Sequence, residues 1–380
     1  MARNKGFQKN NLIIFAVILL ISLGSLITSK YTAERMQEAL SPGFASLYKP
    51  EMASAYAGKN IAILLDENSF YNSQSIVEYL ESFHLTVTQL FVPADSAVHA
   101  LISAQNPNKN VSFFRTEKLS TIQLLVYDLQ HLGMRDEPYE QLLKQVLEVA
   151  DKQQIKVIIS DRGNLFTGKY IDGLYVTPAS ISKEKVMNGP LFHGLTVGEF
   201  AHFLANELYL SVEIDVLVLE LFHRNRILGS KDVYSTQIYG QSIIGHRYIP
   251  IHSFLSLFTM LSPKRNRFQL SGSYEKIELH IPMLKCVAVK KEMSLTYEIV
   301  IDSYSFESYF EFFYKFTQFL IRKKYITLTK GLEQRLIDFI GSDQFTKHLK
   351  NGDSWILFKK TLDDDIARFY DASSSVYLYR

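Results

Sequence analysis

The sequence predicts an α/β fold in which a doubly wound parallel sheet is followed by a smaller α+β domain. Short apolar runs rich in β-branched residues recur through the first half of the chain, and segments with helical spacing lie between them. Strands of a parallel sheet are buried on both faces, so they read as continuous apolar runs. Polar residues follow several of these runs directly. A hydrophobic content of 47% supplies enough apolar material for a large core.

The first domain is expected over residues 58–225. Its predicted strands lie at 59–65, 85–92, 121–128, 155–161 and 213–222, and its predicted helices at 70–83, 138–153 and 193–208. Strands that alternate with helices in this way are typical of βαβ units. The last of these helices contains Thr196 and Glu199 at the spacing of a capping box, which predicts that Glu199 holds the start of that helix.

The second domain is expected over residues 226–380. A strand is predicted at 295–302, and aromatic-rich helices follow at 304–322, 330–341, 343–350 and 356–370. The Tyr and Phe residues of 305–316 recur at helical spacing, so we expect them to form helix core rather than a stacking platform for a ligand.

Residues 12–28 are the strongest targeting signal in the sequence. The run LIIFAVILLISLGSLIT carries no charge and is about long enough to cross a bilayer as a helix. Basic residues precede it, which predicts that residues 1–11 stay in the cytoplasm and that the chain after the run is exported. The A-x-A cleavage pattern is absent, so an uncleaved membrane anchor is favoured over a secreted protein. Residues 29–57 are then a tether.

Composition and motifs argue against several classes of function. The net charge is +2, so no strong polyanion-binding field is implied and no nucleic-acid partner is expected. Cys286 is the single cysteine, and no His/Cys cluster has metal-ligand spacing, so no metal is expected. The first strand leads into LLDENSF instead of a Gly-rich phosphate loop, and a G-x-S-x-G elbow is absent. We therefore expect no cofactor.

Polar side chains follow four of the predicted strands at the point where each strand ends. They are Asp66 and Glu67, the PADS loop at 93–96, Asp128 with Gln130, and Asp161 with Arg162 and Asn164. The carboxyl ends of parallel strands meet at one edge of the sheet, where ligands bind, so these loops should converge there. An edge rich in carboxylates, amides and arginine suits hydroxyl-rich substrates such as sugars. A strand-end Asp also often only caps a turn or a helix.

Three motifs resemble one known family of bacterial proteins. LLVYDLQHLGMRDEPY, at 124–139, looks like the D-[IL]-Q-D-x-G-x-R-x-Y-T-Y segment of the NamZ-like exo-β-N-acetylmuramidases. VIISDRGN, at 157–164, is similar to their V-x-L-D-R-P-N-P, and FHGLTVGEFA, at 192–201, to their H-G-M-T-x-G-E-L-A. The resemblance extends more weakly over 58–380, where LFVPADS occupies the L-F-x-P-E-H-G position.

This resemblance implies a Rossmann-like domain packed on a smaller C-terminal domain, with the active site between them. It also implies a reaction, the hydrolysis of terminal β-linked N-acetylmuramic acid from peptidoglycan fragments. An exported protein held at the bacterial inner membrane suits that substrate. The residues carried over as ligand-binding or site-shaping are Asp128, Gln130, Arg135, Tyr139, Asp161, Arg162, Asn164, His193 and Glu199.

Several of these residues have two possible roles. Asp128 and Gln130 bind a ligand or hold loops. Arg135 grips a carboxylate such as a lactyl group, or it forms an internal ion pair with Asp128 or Asp161. Asp161 and Asn164 are expected to shape a loop through Asx turns.

The histidines also leave two interpretations open. His193 contacts sugar, or it is structural; His131 and His202 are equally plausible as structural residues.

The chain departs from the family at the residues closest to the reaction. The family glutamate of P-E-H-G is Ala94, followed by Asp95 and Ser96, and the second acid of D-x-Q-D is His131. Glycoside hydrolysis normally needs a carboxylic acid to protonate the leaving oxygen. Alanine cannot supply it, so Asp95 is the replacement candidate.

Two functions remain open from the sequence. The protein hydrolyses muramic-acid-containing glycans with Asp95 or another edge acid, or it is a catalytically inactive relative. The inactive relative would bind peptidoglycan fragments or a partner protein through the same cleft.

Overall fold

The computed structural model describes most of the first domain and the C-terminal helices. The described residues are Gly43, 54–66, 69–71, 74–115, 119, 121–180, 185–219, 222–224, 237–238, 241–242, 254, 257, 267–271, 284–291, 294–301, 308–322, 324 and 326–379. Residues 12–28, where the sequence predicts a membrane anchor, and Glu67 lie outside them. Among the helices that are described, none is both long and apolar enough to span a bilayer.

A six-stranded parallel sheet organises the first part of the chain. Its strands are β1 (Ile61–Leu65), β4 (Val87–Val92), β5 (Val111–Phe113), β6 (Leu124–Asp128), β7 (Lys156–Ser160) and β8 (Ile214–Leu217). The short strands β2 (Phe70–Tyr71) and β3 (Gln74–Ser75) pair separately. The order β5-β4-β1-β6-β7-β8 is the doubly wound arrangement, and the direction of winding reverses between β1 and β6. The predicted fold of this domain is confirmed.

Four helices cover the two faces of this sheet. They are α1 (Ile76–Ser82), α2 (Ser96–Gln105), α3 (Pro138–Gln153) and α4 (Val197–Glu207). Alternate residues of each strand enter different cores, because side chains point to opposite faces of a strand. Ile61 and Ile63 pack with α1 and α2 on one face, whereas Ala62 and Leu64 pack with α3 and α4 on the other.

The predicted capping box of α4 is confirmed. The Thr196 hydroxyl accepts from the Glu199 backbone N–H, and the Glu199 carboxylate accepts from the Thr196 N–H.

The C-terminal part of the chain combines strands with a helical core. Strands β9 (Gln237–Ile238) and β10 (Gln241–Ser242) pair, and β11 (Arg267–Ser271), β13 (Ser294–Ile301) and β12 (Leu284–Lys291) form an antiparallel sheet in that order. The helices are α5 (Tyr309–Arg322), α6 (Lys330–Ile340), α7 (Gln344–Asn351) and α8 (Trp355–Ser373), and a short 3-10 helix follows at Ser374–Val376. The aromatic residues of α5 from Tyr309 to Phe316 are buried in this core, as the sequence predicts.

The end of the chain returns to the first domain. Phe369 and Val376 belong to the core formed by the sheet, α3 and α4. The Tyr379 hydroxyl lies 2.5 Å from Asp161 Oδ2 and accepts from the Leu219 backbone N–H at 2.8 Å. The last residues therefore fasten onto the carboxyl edge of the parallel sheet.

Candidate functional site

The loops after β1 and β6 meet where the winding of the sheet reverses. Leu65 pairs with Asp128 in the register of these two strands, and Asp66 follows directly. The Ser69 hydroxyl donates to the Asp128 carbonyl oxygen at 2.9 Å. The same hydroxyl accepts from the Asp66 backbone N–H at an N···O distance of 3.2 Å. Two of the four loops that the sequence predicts to converge therefore meet at the position where doubly wound sheets bind ligands.

Asp128 forms a buried ion pair with Arg162, the second residue after β7. Arg162 Nη2 lies 3.0 Å from both carboxylate oxygens of Asp128, and Nε lies 3.2 Å from Oδ1. Burial lowers the pKa of Arg162, but the carboxylates of Asp128 and Asp66 raise it by more, so the guanidinium stays charged. Asp128 thus pairs with Arg162 and not with Arg135.

Asp161 joins three parts of the chain. Its Oδ1 accepts from the backbone N–H groups of Arg162 and Gly198, and its Oδ2 from the hydroxyls of Thr196 and Tyr379. Burial raises the pKa of Asp161 to about 6, although the hydrogen bonds from Tyr379, Gly198 and Thr196 act in the opposite direction. The carboxylate ties β7 to the N-terminus of α4 and to the chain end.

Gln130 and Asn164 hold neighbouring loops together. Gln130 Nε2 donates to the carbonyl oxygens of His131 and Gly163 at 2.9 and 3.0 Å. Asn164 Oδ1 accepts from the Phe166 N–H at 2.8 Å, which confirms the predicted Asx turn, and its Nδ2 donates across to the Leu195 carbonyl. Both amides therefore shape the edge of the sheet.

Arg135 lies in the interior, between the two parts of the chain. Its guanidinium donates to Asp136 and to the backbone carbonyl oxygens of Leu174, Gly189 and Ile340. The Ile340 carbonyl ends α6, so this one side chain connects the loop after β6 to the C-terminal helices.

Glu199 has a second partner in addition to its capping role. Its carboxylate forms a buried ion pair with Arg224 and accepts from the Leu378 N–H at 2.9 Å. Arg224 also donates to the carbonyl oxygens of Gly168 and Gly194. Sequence reasoning did not find Arg224, because its partners lie 25 or more residues away.

Asp95 caps a helix at the exposed end of β4. Its Oδ1 accepts from the N–H groups of Ala97 and Val98 at 2.8 and 3.2 Å, and α2 begins at the next residue. Ala94 and Asp95 are both exposed. A catalytic role for Asp95 remains a prediction.

A buried cluster under the loop after β6 combines two histidines with two glutamates. His131 Nδ1 lies 3.7 Å from Glu137 Oε1, and His193 Nε2 lies 2.7 Å from Glu140 Oε1. His131 Nδ1 and Glu140 Oε2 have no hydrogen-bond partner among the described residues. Burial lowers the pKa of each histidine to about 3, so both imidazoles are neutral. The sequence signal for this cluster is the E-x-x-E spacing at the start of α3, which places both glutamates on one helical face.

Tyr139 supports the same cluster through its backbone. The Tyr127 hydroxyl donates to the Tyr139 carbonyl oxygen at 2.9 Å and lies 2.8 Å from His131 Nε2. The Tyr139 ring is buried in the core formed by the sheet, α3 and α4. His193 stacks on Phe200 with ring centroids 4.7 Å apart.

Comparison with known proteins supports the motif resemblance. The family model described as exo-beta-N-acetylmuramidase NamZ, N-terminal, matches residues 108–236. The peptidoglycan beta-N-acetylmuramidase NamZ of Bacillus subtilis is 29% identical over 116 residues, which are 30% of this chain. That match spans 28% of the length of the Bacillus protein.

Two solved structures share the fold over nearly their whole length. Both are DUF1343 family proteins from Bacteroides fragilis. One has a TM-score of 0.71 at 19% sequence identity, and the match covers 90% of this chain and 99% of the Bacteroides chain. The other has a TM-score of 0.66 at 16% identity and covers 89% and 98%. The chain is therefore similar to the NamZ-like proteins over residues 108–236, and the resemblance carried by its motifs is confirmed.

Proposed function

We propose that this protein binds muramic-acid-containing peptidoglycan fragments at the carboxyl edge of its parallel sheet and does not hydrolyse them. One observation carries the proposal. Gln130 and Arg162 keep 9% and 7% of their surface exposed, whereas Asp66, Asp128 and Asp161 keep none. Of these five residues, Gln130 and Arg162 keep the exposed surface that a ligand can reach, although both are hydrogen-bonded within the protein, and the three carboxylates keep none.

Acid catalysis needs a carboxyl group that can give its proton to the glycosidic oxygen. Asp128 is held by Arg162, and Asp161 accepts four hydrogen bonds from buried donors. Asp95 is exposed, and its carboxylate is engaged in capping the N-terminus of α2. This geometry supports recognition of the glycan without its cleavage.

Hydrolysis of the same glycans is the second candidate. The curated Bacillus relative carries the name of a peptidoglycan beta-N-acetylmuramidase, and this supports it. In that case Asp95 would have to leave its capping position and serve as the acid.

The test is a paired binding and turnover assay on the full-length chain. We expect calorimetry to detect binding of a muramic-acid-containing disaccharide, and weaker binding of a chitobiose control that lacks the lactyl group. We also expect no release of chromophore from a chromogenic β-N-acetylmuramide. Turnover that Asp95→Asn abolishes would establish the hydrolase instead, and failure to bind either glycan would reject both candidates.

A gain-of-function variant sharpens this test. Position 94 is exposed, so Ala94→Glu restores the family carboxyl without disturbing the core. Ala94→Gln has the same size and no acid, which makes it the matched control. Turnover by Ala94→Glu alone would show that the lost glutamate is what separates this protein from an enzyme.

We also propose that the protein works in the bacterial envelope, anchored in the inner membrane through residues 12–28 and exported beyond them. The uncharged run and the basic residues before it support this placement. Protease treatment of intact spheroplasts should degrade the part of the chain after residue 28. Resistance to the protease would contradict export, and a soluble shortened product would indicate cleavage of the signal.

A further inference from the structure

We propose that His131, Glu137 and Glu140 bind a divalent transition-metal cation, with Zn²⁺ the best match, between the loop after β6 and the first turn of α3. The three side chains each offer one ligand atom, and these atoms all lie within 4.8 Å of one another. All three residues are buried. This site is separate from the glycan-binding proposal and does not depend on it.

The imidazole of His131 presents a lone pair to the cluster. The single hydroxyl proton of Tyr127 goes to the Tyr139 carbonyl oxygen, so the Tyr127 oxygen accepts from His131 Nε2–H. The neutral ring then has an unprotonated Nδ1, and this atom has no hydrogen-bond partner among the described residues. Metal-ligating histidines characteristically donate their other N–H to a fixed acceptor, as His131 does here.

The Glu140 carboxylate is oriented in the same way. His193 Nδ1 accepts from the Leu195 N–H, so the proton of this imidazole is on Nε2, which donates to Glu140 Oε1 at 2.7 Å. The other oxygen, Oε2, has no hydrogen-bond partner among the described residues. His193 therefore fixes the carboxylate from behind and leaves one oxygen to face His131 and Glu137.

The distances suit a cation of zinc size. Two ligand atoms at about 2.1 Å from a tetrahedral Zn²⁺ lie roughly 3.4 Å apart. His131 Nδ1 and Glu137 Oε1 are 3.7 Å apart, so only a small inward movement is needed. A nitrogen donor with two carboxylates favours Zn²⁺ over Ca²⁺ or Mg²⁺, which prefer oxygen ligands alone.

Charge supports a cation at this position. Two carboxyl groups lie in the interior beside a neutral imidazole, and a bound divalent ion would hold both of them in the ionised form. A divalent ion would balance both carboxylates. The positive end of the α3 dipole opposes a cation here, but its partial charge is small compared with two full negative charges.

The position of the ligands also suggests what the ion does. All three lie within the ten residues from 131 to 140, which connect β6 to α3. His131 stands where the related family has an acid, so the residue that departs from the family motif supplies the nitrogen ligand. A bound cation would fix this connection and, through Gln130, the edge of the sheet.

The test measures metal binding by the full-length chain, purified without a polyhistidine tag and stripped with a chelator. We expect one equivalent of Zn²⁺ by elemental analysis and calorimetry, and a higher melting temperature with the ion. His131→Asn and Glu140→Gln should each weaken binding by roughly 100-fold. His348→Asn is the matched control, because His348 pairs with Asp353 outside the cluster, and it should bind as the wild type does.

Spectroscopy on the wild type keeps the test valid if a variant fails to fold. With Co²⁺ in place of Zn²⁺, X-ray absorption should show one imidazole and oxygen ligands around the ion. Absence of stoichiometric metal in the wild type, a Co²⁺ ion ligated by water alone, or unchanged binding by a folded His131→Asn variant would overturn the proposal.

Discussion

Two buried polar regions involve residues at or near the loop after β6, and they differ in how completely their groups are paired. At the sheet edge, Asp128 has a bidentate partner and Asp161 accepts four hydrogen bonds. In the cluster beneath α3, atoms of His131 and Glu140 lack partners among the described residues. Buried polar groups normally have hydrogen-bond partners. We therefore interpret the fully paired edge as a structural network and the incompletely paired cluster as a candidate ligand site.

This difference changes where chemistry should be sought. The motif residues that resemble a hydrolase are largely engaged with one another, whereas His131 and Glu140 carry atoms that have no hydrogen-bond partner among the described residues. A motif therefore identifies the region of a site. The polar atoms in that region that have no hydrogen-bond partner identify which groups can still bind a ligand.

The largest effect is expected from Asp128→Ala at the sheet edge. Removing Asp128 leaves the Arg162 guanidinium without its bidentate carboxylate partner, and breaking a buried ion pair in this way costs about 3–5 kcal/mol of unfolding free energy. The exposed pair Lys359–Asp363 is the control, since Asp363→Ala should cost no more than about 0.5 kcal/mol. Urea denaturation measures both. If the two variants lost equally small amounts of unfolding free energy, the ion pair of Asp128 and Arg162 would not stabilise the fold.

The second effect is a dependence of stability on pH through Asp161. Its pKa is about 6 in the folded state and 3.8 as the ordinary value, because burial disfavours the carboxylate. Between these values the folded protein holds more protons than the unfolded chain, so stability falls as the pH rises. A pKa difference of about 2 units corresponds to roughly 3 kcal/mol of unfolding free energy. Asp161 contributes this stability below about pH 4, and the contribution is lost above about pH 6.

Asp161→Asn cannot titrate and isolates this contribution. Urea denaturation of both proteins at intervals between pH 4 and pH 7 should give a flatter profile for the variant. If the stability of the two proteins changed with pH in parallel, Asp161 would be ionised over the whole range. Its four hydrogen bonds would then outweigh the effect of burial.

A smaller effect is expected from Gly133→Ala, between the two regions. Gly133 has φ +81°, and an added Cβ would lie 2.2 Å from the Asn164 side chain. Backbone strain should lower the unfolding free energy by about 1–2 kcal/mol, and displacement of the Asn164 side chain from its Asx turn should lower it further. Gly58 has φ +73° with nothing near its Cβ position, so Gly58→Ala measures strain alone. Equal losses of stability in the two variants would show that Asn164 moves aside freely.

Local patterns made part of this structure predictable. The limits predicted for α3, 138–153, are those observed, and the capping box of Glu199 and the Asx turn of Asn164 involve residues only two or three positions apart. The convergence of the strand-end loops follows from parallel topology alone.

The partners of the converging residues were not predictable in the same way. Asp161 bonds to Tyr379, which is 218 residues away, and Arg135 to the carbonyl of Ile340, which is 205 away. Such pairs depend on how the C-terminal helices dock, and no periodicity in the sequence encodes that. The cluster of His131 was missed for a related reason, because its carboxylates become ligands only once α3 turns them toward the loop.

The smallest effect is expected from Glu140→Gln in a chelator, and it compares the two regions most directly. Burial raises the pKa of Glu140 well above its ordinary value, so the metal-free folded protein already carries a neutral side chain there. Replacing a neutral acid with an amide of the same shape should change the unfolding free energy by no more than about 1 kcal/mol. The same change at the sheet edge, Asp128→Asn, removes a charge that Arg162 needs and should cost several times more. Similar losses for the two variants in urea would mean that Glu140 is ionised and paired without metal, and the cluster would then be as complete as the edge.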